Sequence, residues 1–311
     1  MGVEEEFLIV DGESGNPLPL GEVLEQLSDF PRLTSEMKQE QIETCTLPRV
    51  TLAELADDIS VGRNSADAAA KRAGASAVAL ATSPLPVEST IAPGERCARL
   101  MERFGLTAVE QLTGGCHVHV EIESEEEGVA ILDRIRIWLP VLLAISANSP
   151  YWNGVDSSYA SYRWQAWTRW PTTGAADIYG SAAAYHHEIG QILGSGVPLD
   201  KANLYFDARL SHKHPTIEVR VADVCLVCRR YRPAGSPGPR PRENRSTAVA
   251  QRRQASPDFN QPTPTSVLAG QPLRAGRRIG RPANRKTPGR IRGGDGSAGP
   301  PPSGAQGTGR V

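Results

Sequence analysis

The segment Gly114–Ile122, which reads GGCHVHVEI, carries the residues best suited to chemistry. Side chains alternate between the two faces of a β-strand, so His117, His119 and Glu121 should project together. Two imidazoles and a carboxylate in a row are suited to binding a cation. The alternative is a solvated strand face with ordinary polar residues. The abrupt Gly114-Gly115 turn and the scarcity of histidine favour a site.

Three further candidate strands place charged or polar side chains on one face. The residues are Glu4 and Glu6 in the first, Gln41 and Glu43 in the second, and Glu218 and Arg220 in the third, preceded by a strand in which Asp207 and Arg209 share a face. Carboxylates this close repel one another unless a cation lies between them. For Glu4 and Glu6 alone, a charged edge strand is an equally good interpretation.

Taken together, these strands predict a sheet with one apolar face and one acidic face. Oxygen ligands with one or two imidazoles favour Mg²⁺ or Mn²⁺ over zinc. Arginines on the same sheet suit phosphate. The pattern therefore indicates phosphoryl transfer from a metal-bound nucleotide, with catalysis by positioning and charge neutralisation.

The composition divides the chain into two unlike parts. Residues 1–225 carry 17 Lys+Arg and 32 Asp+Glu, whereas residues 226–311 carry 17 and 3. The second part is rich in Arg, Pro and Gly, and such a segment buries too little apolar surface to offset its ordering entropy. We therefore expect a folded domain over residues 1–226 and a disordered tail over residues 227–311.

The cysteines and the hydrophobic runs indicate a cellular location. Five cysteines in irregular spacing, with no secretory leader before them, predict reduced thiols and a cytoplasmic protein. The longest charge-free run lies between Arg136 and Asp156 and contains Pro140 and Pro150. It predicts a buried helix rather than a membrane span.

Helices and strands are expected to alternate irregularly, as in an α+β fold. The predicted strands are 3–10, 37–44, 75–82, 115–122, 203–211 and 215–224, and the predicted helices are 51–74, 93–104, 124–150 and 180–193. Capping boxes open two of the helices, at Thr51 and Ser124. In the helix from Ser124, the spacing predicts a buried stripe, and its members are Ile131, Ile135, Trp138, Leu142 and Ile145.

Other motifs indicate competing functions. His117-x-His119 is compatible with a metal-dependent amidohydrolase, but that class needs later lone histidines and has no use for Glu4, Glu6 or the arginines. Cys225-x-x-Cys228 hints at zinc, although Cys228 lies in the tail. The basic tail allows a third hypothesis, an inactive domain with an arm that binds nucleic-acid phosphates. Aromatic residues and arginines over 151–171 suit either an anion pocket or a corner of the core.

The order of these motifs resembles the glutamate–cysteine ligase type 2 family, the YbdK-like carboxylate–amine ligases of bacteria. The segments that carry the resemblance are Gly2–Leu8, Gln39–Glu43, Gly115–Val120, Ser146–Trp152, Tyr162–Trp167, Tyr205–Arg209 and Pro215–Arg220. The match runs in order from residue 2 to about 226.

The resemblance implies a glutamine-synthetase-like fold, in which an antiparallel sheet forms a funnel with flanking helices. It implies ATP- and Mg²⁺-dependent (or Mn²⁺-dependent) ligation of the γ-carboxylate of L-glutamate to an amine such as that of L-cysteine, through γ-glutamyl phosphate. A homodimer is among the assemblies it allows, with no membrane and no nucleic-acid partner.

The resemblance also assigns roles to individual residues. The implied metal ligands are Glu4, Glu6, Glu43, His117 and Glu218. The implied catalytic residues are Arg163 and Arg220, and the implied nucleotide-binding residues are Gln41, Arg163 and Arg209.

The tail departs from the family, which continues beyond Leu226 into an ordered, largely helical segment. The Arg/Pro/Gly-rich composition is what an out-of-frame translation of GC-rich DNA would give. We therefore expect a frameshift near residue 226. Sequencing of the locus, or mass mapping of the C-terminus of the native protein, would test this hypothesis.

Overall fold

The computed structural model describes residues 1–226, and the predicted disorder of the tail lies outside these residues. The strands are β1 (Gly2–Asp11), β2 (Leu33–Ser35), β3 (Gln41–Cys45), β4 (Ala75–Val78), β5 (Gly115–Glu121), β6 (Tyr151–Trp152), β7 (Val155–Asp156), β8 (Ala208–Leu210) and β9 (Thr216–Asp223). The α-helices are α1 (Gly21–Leu27), α2 (Leu52–Arg72), α3 (Glu95–Phe104), α4 (Leu106–Glu110), α5 (Glu125–Ile135), α6 (Leu139–Ser146), α7 (Tyr162–Trp167) and α8 (Ala182–Gly194).

Seven strands form one antiparallel sheet in the order β2-β3-β1-β5-β9-β8, with β4 paired to the second half of β1. Sequence neighbours are rarely sheet neighbours. Strand β1 lies at the centre because it pairs along both edges, with β3 on one edge and with β5 and β4 along the other. Burial alternates over its first half, and the four residues from Phe7 to Val10 are all buried. The predicted α+β fold with an antiparallel sheet and flanking helices is confirmed.

The apolar face of the sheet is covered by helices. Phe7 and Ile9 of β1 pack with the small residues Ala66, Ala69 and Ala70 of α2. Helices α5, α6 and α8 cover the other half of the same face through a second cluster that includes Ile217. The two larger clusters of the core therefore lie on one side of the sheet. The charged side chains of β1, β3, β5 and β9 lie on the other, together with a smaller apolar cluster that contains Leu8 and Val10 of β1.

Glu5 is a charged residue of β1 that is buried on the helical face. It is 4% exposed, and both of its carboxylate oxygens accept hydrogen bonds from Arg63 of α2, at 2.8 and 2.6 Å. Alternation thus separates Glu5 from Glu4 and Glu6, as the sequence predicted. Thr51 and Glu54 form the predicted capping box at the start of α2.

The helix expected over residues 124–150 is interrupted. Helix α5 ends at Ile135, a 3-10 turn spans Arg136–Trp138, and α6 starts again with Pro140 in its first turn. The interruption shifts the helical phase, so the predicted stripe is wrong after Ile135: Trp138 is 59% and Ile145 77% exposed, whereas Ile131 and Ile135 pack against the core. The buried side chains are instead Val129, Leu132, Leu139 and Leu143.

Two other strands are shorter than predicted. The strand expected over residues 37–44 begins only at Gln41, because Lys38 pairs instead with Ile91 in an isolated bridge. The strand expected over residues 203–211 is reduced to Ala208–Leu210. Gly105, at φ 48°, ends α3 as predicted, but α4 follows it immediately.

Candidate active site

The acidic face of the sheet forms the floor of a cavity of about 500 Å³. Strands β1, β3, β5 and β9 supply its carboxylates and imidazoles. Helices α3 and α7 supply the opposite wall, with the aromatic residues Trp167 and Trp170. The loop from Ser211 to Pro215, between β8 and β9, lies at its edge.

One group of possible cation ligands consists of Glu6, Glu36 and Glu43. A carboxylate oxygen from each lies within 4.8 Å of the others. Burial, followed by the charge of Glu6, raises the pKa of Glu36 to about 7. Burial and the neighbouring carboxylates likewise raise the pKa of Glu43 well above its usual range. Three acids held this close without a cation are in mutual repulsion.

A second group is centred on Glu4. Its oxygens lie 3.1 Å from Nδ1 of His117 and 3.4 Å from Nε2 of His119. Glu43 completes one set of three with Glu4 and His117, and Glu218 completes another with Glu4 and His119. Burial opposes ionisation of Glu4, but bonds to His117 and then His119 outweigh it and lower its pKa. Burial and then Arg220 lower the pKa of His117, so its imidazole is neutral.

These groups fit Mg²⁺ or Mn²⁺. The donors are carboxylate oxygens with one or two imidazoles, which is the set that these cations prefer over zinc. Within residues 1–226, the buried Nε2 atoms of His117 and His119 form no hydrogen bond of good geometry, although carboxylate oxygens of Glu6 and Glu4 lie 3.8 and 3.4 Å from them. A buried polar atom without a partner requires an explanation, and a bound cation supplies one.

All five sequence-predicted metal ligands line this cavity: Glu4, Glu6, Glu43, His117 and Glu218. Two further candidates were not assigned as ligands from the sequence. His119 follows from the same alternation as His117, so its signal was present. Glu36 precedes β3 and lies outside the regular alternation, and only the fold brings it beside Glu43.

Arg209 and Arg220 both bind Glu218. Arg209 donates to its two oxygens from Nε and Nη2, at 2.8 and 3.3 Å, and Arg220 donates from Nη1. Burial opposes ionisation of Glu218, but Arg220 and then Arg209 outweigh it and lower the pKa to about 2. Arg209 also donates to the carbonyl oxygen of Leu204, at 2.6 Å. All three nitrogens of its guanidinium therefore have hydrogen-bond acceptors within the protein.

Arg163 and Gln41 bind the protein's own backbone. Arg163, 2% exposed, directs its guanidinium to the carbonyl oxygens of Arg220 and Val221. Gln41 lines the cavity, but its Nε2 donates to the carbonyl oxygen of Thr113 at 2.8 Å. Both residues thus link separate segments around the site, and the ligand contacts that the family resemblance implied for them stay a prediction.

The loop between β8 and β9 contributes His212, Lys213 and His214 to the cavity. Ser211 Oγ accepts from the backbone N–H groups of Lys213 and His214, each at 3.3 Å. The imidazole of His214 lies edge-on against that of His119, at 6.1 Å between ring centroids. The loop is therefore fixed beside the second group of cation ligands.

A second cavity, of about 380 Å³, shares Glu4, His119 and His214 with the first. Its other lining includes the apolar residues Leu47 and Pro48. Glu121, which the alternation placed with the two histidines, lines this second cavity instead of the first. The second group of possible cation ligands thus lies between the mostly apolar second cavity and the charged first cavity.

Repulsion in the first group predicts an unusual dependence of stability on pH. An acid whose pKa is raised in the folded state stabilises the fold below its unfolded pKa of 4.5 and loses that contribution as pH rises through about 7. We therefore expect the melting temperature of the metal-free protein to fall between pH 5 and pH 8. Thermal unfolding in chelator at several pH values measures this.

Glu36→Gln should flatten that profile, because it removes a titrating carboxyl from the group. Glu13→Gln, in the exposed turn after β1, is the matched control and should leave the profile unchanged. Equal profiles for wild type and Glu36→Gln would contradict the assignment of the pH dependence to this group.

The weaker zinc motif of the sequence gains no support within residues 1–226. The Cys225-x-x-Cys228 motif lies partly outside the described residues, and Cys225 is exposed. Each helix in the described part is too short or too polar to cross a bilayer.

Comparisons with known proteins agree with this geometry. The sequence profile described as "Glutamate-cysteine ligase family 2 (GCS2)" matches residues 1–232. A protein of Paenarthrobacter aurescens named "Putative glutamate--cysteine ligase 2-1" is 53% identical over 235 residues, which cover 72% of this chain and 61% of that protein. One of the same name from Streptomyces avermitilis is 49% identical over 231 residues, covering 73% and 64%. The chain thus spans less than two thirds of the length of these relatives.

Two solved structures share the fold. A bifunctional glutathione synthetase from Pasteurella multocida superposes with a TM-score of 0.50 and 15% identity, over 71% of this chain and 35% of that one. A glutamate–cysteine ligase from Francisella tularensis, in complex with AMP, gives a TM-score of 0.50 and 14% identity, over 71% and 60%.

Proposed function

The chain belongs to the glutamate–cysteine ligase family 2, and on that premise we propose that it is an ATP-dependent carboxylate–amine ligase. The proposed reaction joins the γ-carboxylate of L-glutamate to the amine of L-cysteine, or of a similar amine, with release of ADP and phosphate. The supporting observation is the pair of cation-ligand groups on one sheet face, in a cavity that also holds Arg220 and Lys213. The boundary at residue 226 remains a prediction.

The residues suggest how the reaction is divided between the two cavities. The first group, Glu6 with Glu36 and Glu43, and the second group, centred on Glu4, would each hold one Mg²⁺ or Mn²⁺. The cations supply charge neutralisation for the phosphates. The apolar second cavity suits a nucleoside, and the charged first cavity suits the amino acids.

The chemistry consists of two displacements. A γ-carboxylate oxygen of glutamate attacks the γ-phosphorus of ATP, and ADP leaves. The amine then attacks the acyl carbon of γ-glutamyl phosphate, loses a proton, and phosphate leaves. Arg220 is suited to the anionic transition states, because its guanidinium is held by Glu218 and lies 3.5 Å from His117. The reaction uses ATP and a reduced thiol, and both occur in the cytoplasm, so we expect the reaction to take place there.

An assay of ADP release tests the proposal. We expect ADP only when both glutamate and an amine are present, and cysteine is the first amine to try. The assay should be run on the full-length protein and on a chimera that carries the C-terminal segment of a relative. Amide hydrolysis without nucleotide would instead favour an amidohydrolase, although the open antiparallel sheet is not the barrel which that class uses.

Lys213 supplies a second test, directed at the nucleotide. Among the cations that line the first cavity, Arg96 pairs with Asp200, and Arg209 and Arg220 pair with Glu218. Lys213 has no carboxylate partner within residues 1–226, so its ammonium is available to a phosphate. One charge-assisted hydrogen bond contributes about 1.5–3 kcal/mol, so Lys213→Gln should weaken ATP binding about tenfold or more.

The control for this substitution is Lys201→Gln. Lys201 is exposed and lies outside both cavities, so the same loss of charge there should leave ATP binding unchanged. Calorimetric titration with ATP and with adenosine separates the effects, because adenosine should bind both variants alike. Equal weakening in both variants would mean that Lys213 acts only through net charge.

A further inference from the structure

Strands β5 and β9 change register beside the cation ligands. The pairs on either side of the change are Cys116–Ala222 and Val118–Val219. Two residues of β9, Arg220 and Val221, therefore oppose the single residue His117. This arrangement is a β-bulge, which leaves backbone groups of the bulged strand without partners in the ladder.

The guanidinium of Arg163 satisfies these backbone groups. Its Nη2 and Nη1 donate to the carbonyl oxygens of Arg220 and Val221, at 3.3 and 3.4 Å. The position opposite the guanidinium on β5 is Gly115. A Cβ at residue 115 would lie 2.3 Å from Nη2 of Arg163 and 2.9 Å from Nε2 of His117, so only glycine leaves room for both side chains.

The bulge also changes the face on which β9 ends. In a regular ladder, Ala222 would oppose Gly115, and Asp223 would point toward the helices. With the bulge, Asp223 opposes Gly115 and points to the face of the cation ligands. There it is fully buried and accepts hydrogen bonds from the hydroxyls of Ser149 and Ser161, both at 2.8 Å.

The two serines in turn bind the segment that carries Arg163, so the hydrogen bonds form a closed network. Ser161 is the N-cap of α7, the short helix that carries Arg163. Ser149 Oγ accepts from the backbone N–H of Arg163 at 3.1 Å. Arg163 therefore holds the bulge, the bulge directs Asp223 to the two serines, and the serines hold α7 and Arg163 in place.

We propose that Arg163 is a positioning residue, which holds the bulge between β5 and β9 and so sets the distance of His117 from Glu218 and Arg220. The proposal rests on the proposed function only in taking these residues as part of a cation and phosphate site. It assigns no contact between Arg163 and a substrate.

Direct binding of Mn²⁺ to the full-length chain, by calorimetry and by the electron paramagnetic resonance of the free ion, tests the proposal. Residues that orient metal ligands typically change metal affinity about 10–100-fold. We expect Arg163→Gln to raise the Mn²⁺ dissociation constant about tenfold or more, and Arg163→Lys to restore part of the loss. Gly115→Ala should weaken Mn²⁺ binding as well, and its effect should not add to that of Arg163→Gln.

The control variant is Ile189→Ala. Ile189 is buried in α8, whose main contact is with α5, so its truncation should lower the melting temperature while the pairing of β5 with β9 is kept. Mn²⁺ binding measured well below all melting temperatures should be unchanged in this variant. Equal losses in Ile189→Ala and Arg163→Gln would overturn the proposal, since stability alone would then explain them.

Three other outcomes are decisive. If Arg163→Gln does not fold, Arg163→Lys and Gly115→Ala carry the test, and unchanged Mn²⁺ affinity in both overturns it. Normal Mn²⁺ affinity in Arg163→Gln with weaker glutamate binding would also overturn it, in favour of a substrate contact. Absence of Mn²⁺ binding in the wild-type protein would contradict the cation site, and with it the proposed function.

Discussion

Glu6→Ala is expected to remove most of the rise in melting temperature that Mg²⁺ with ATP gives the wild-type protein. A ligand that binds only the folded state stabilises it by mass action. A carboxylate oxygen of Glu6 lies within 4.8 Å of oxygens of Glu36 and Glu43, and Oε2 of Glu6 accepts from the backbone N–H of Gly115 at 2.7 Å. Differential scanning fluorimetry with and without Mg²⁺ and ATP measures the shift.

Glu5→Ala is the matched control, because it is the same substitution at the adjacent residue. Glu5 lies on the helical face, paired with Arg63, so the metal-dependent shift should persist. Its baseline stability should nevertheless fall by about 3–5 kcal/mol, because Arg63 loses its buried partner. If both variants lose the metal response equally, the assignment of faces on β1 is wrong.

The second large effect is expected from Arg220→Met. The guanidinium of Arg220 is the one that lies between Glu218 and His117 and also faces Trp167, at 5.9 Å from its ring centroid. Loss of one preorganised group that stabilises transition-state charge typically lowers turnover about 10²–10³-fold. We expect a fall of that size in the rate of ADP release, measured at saturating substrates.

Arg134→Met provides the comparison for this variant. Arg134 lies on the exposed side of α5, where it bonds to a carbonyl oxygen of its own helix, and its loss should leave turnover unchanged. Arg220→Lys keeps the charge but loses the planar geometry, so we expect intermediate turnover. Full turnover in Arg220→Met would show that this guanidinium does not act on the reacting groups.

Alternation in single strands was enough to find much of the candidate site. Glu4 and Glu6 were separated from Glu5, and His117 was grouped with His119, because the side-chain period of a strand is fixed at two. Glu36 was not assigned, since it reaches Glu43 only through the packing of an irregular segment. The sheet order could not be derived from any local pattern, because β1 pairs with strands from three distant parts of the chain.

The roles of the arginines could not be read from residue type. The resemblance implied a ligand contact for Arg163, which stays a prediction, and no sequence pattern indicated that its guanidinium also binds two backbone carbonyls exposed by a bulge. A bulge has no signature in this sequence apart from Gly115. The prediction of one helix over residues 124–150 was wrong for a related reason. A short 3-10 turn changes the rotation of the helix face, and the spacing of apolar residues does not show where such a turn lies.

The ligand groups draw on residues from position 4 to position 218, and this spread has a kinetic consequence. The carboxylates converge only after β1, β3, β5 and β9 have all paired, which requires closure of long loops. A divalent cation at the proposed site would therefore find no complete set of donors in the early stages of folding. Because its stabilisation would be confined to the finished sheet, we expect it to slow the unfolding rate and to leave the folding rate nearly unchanged.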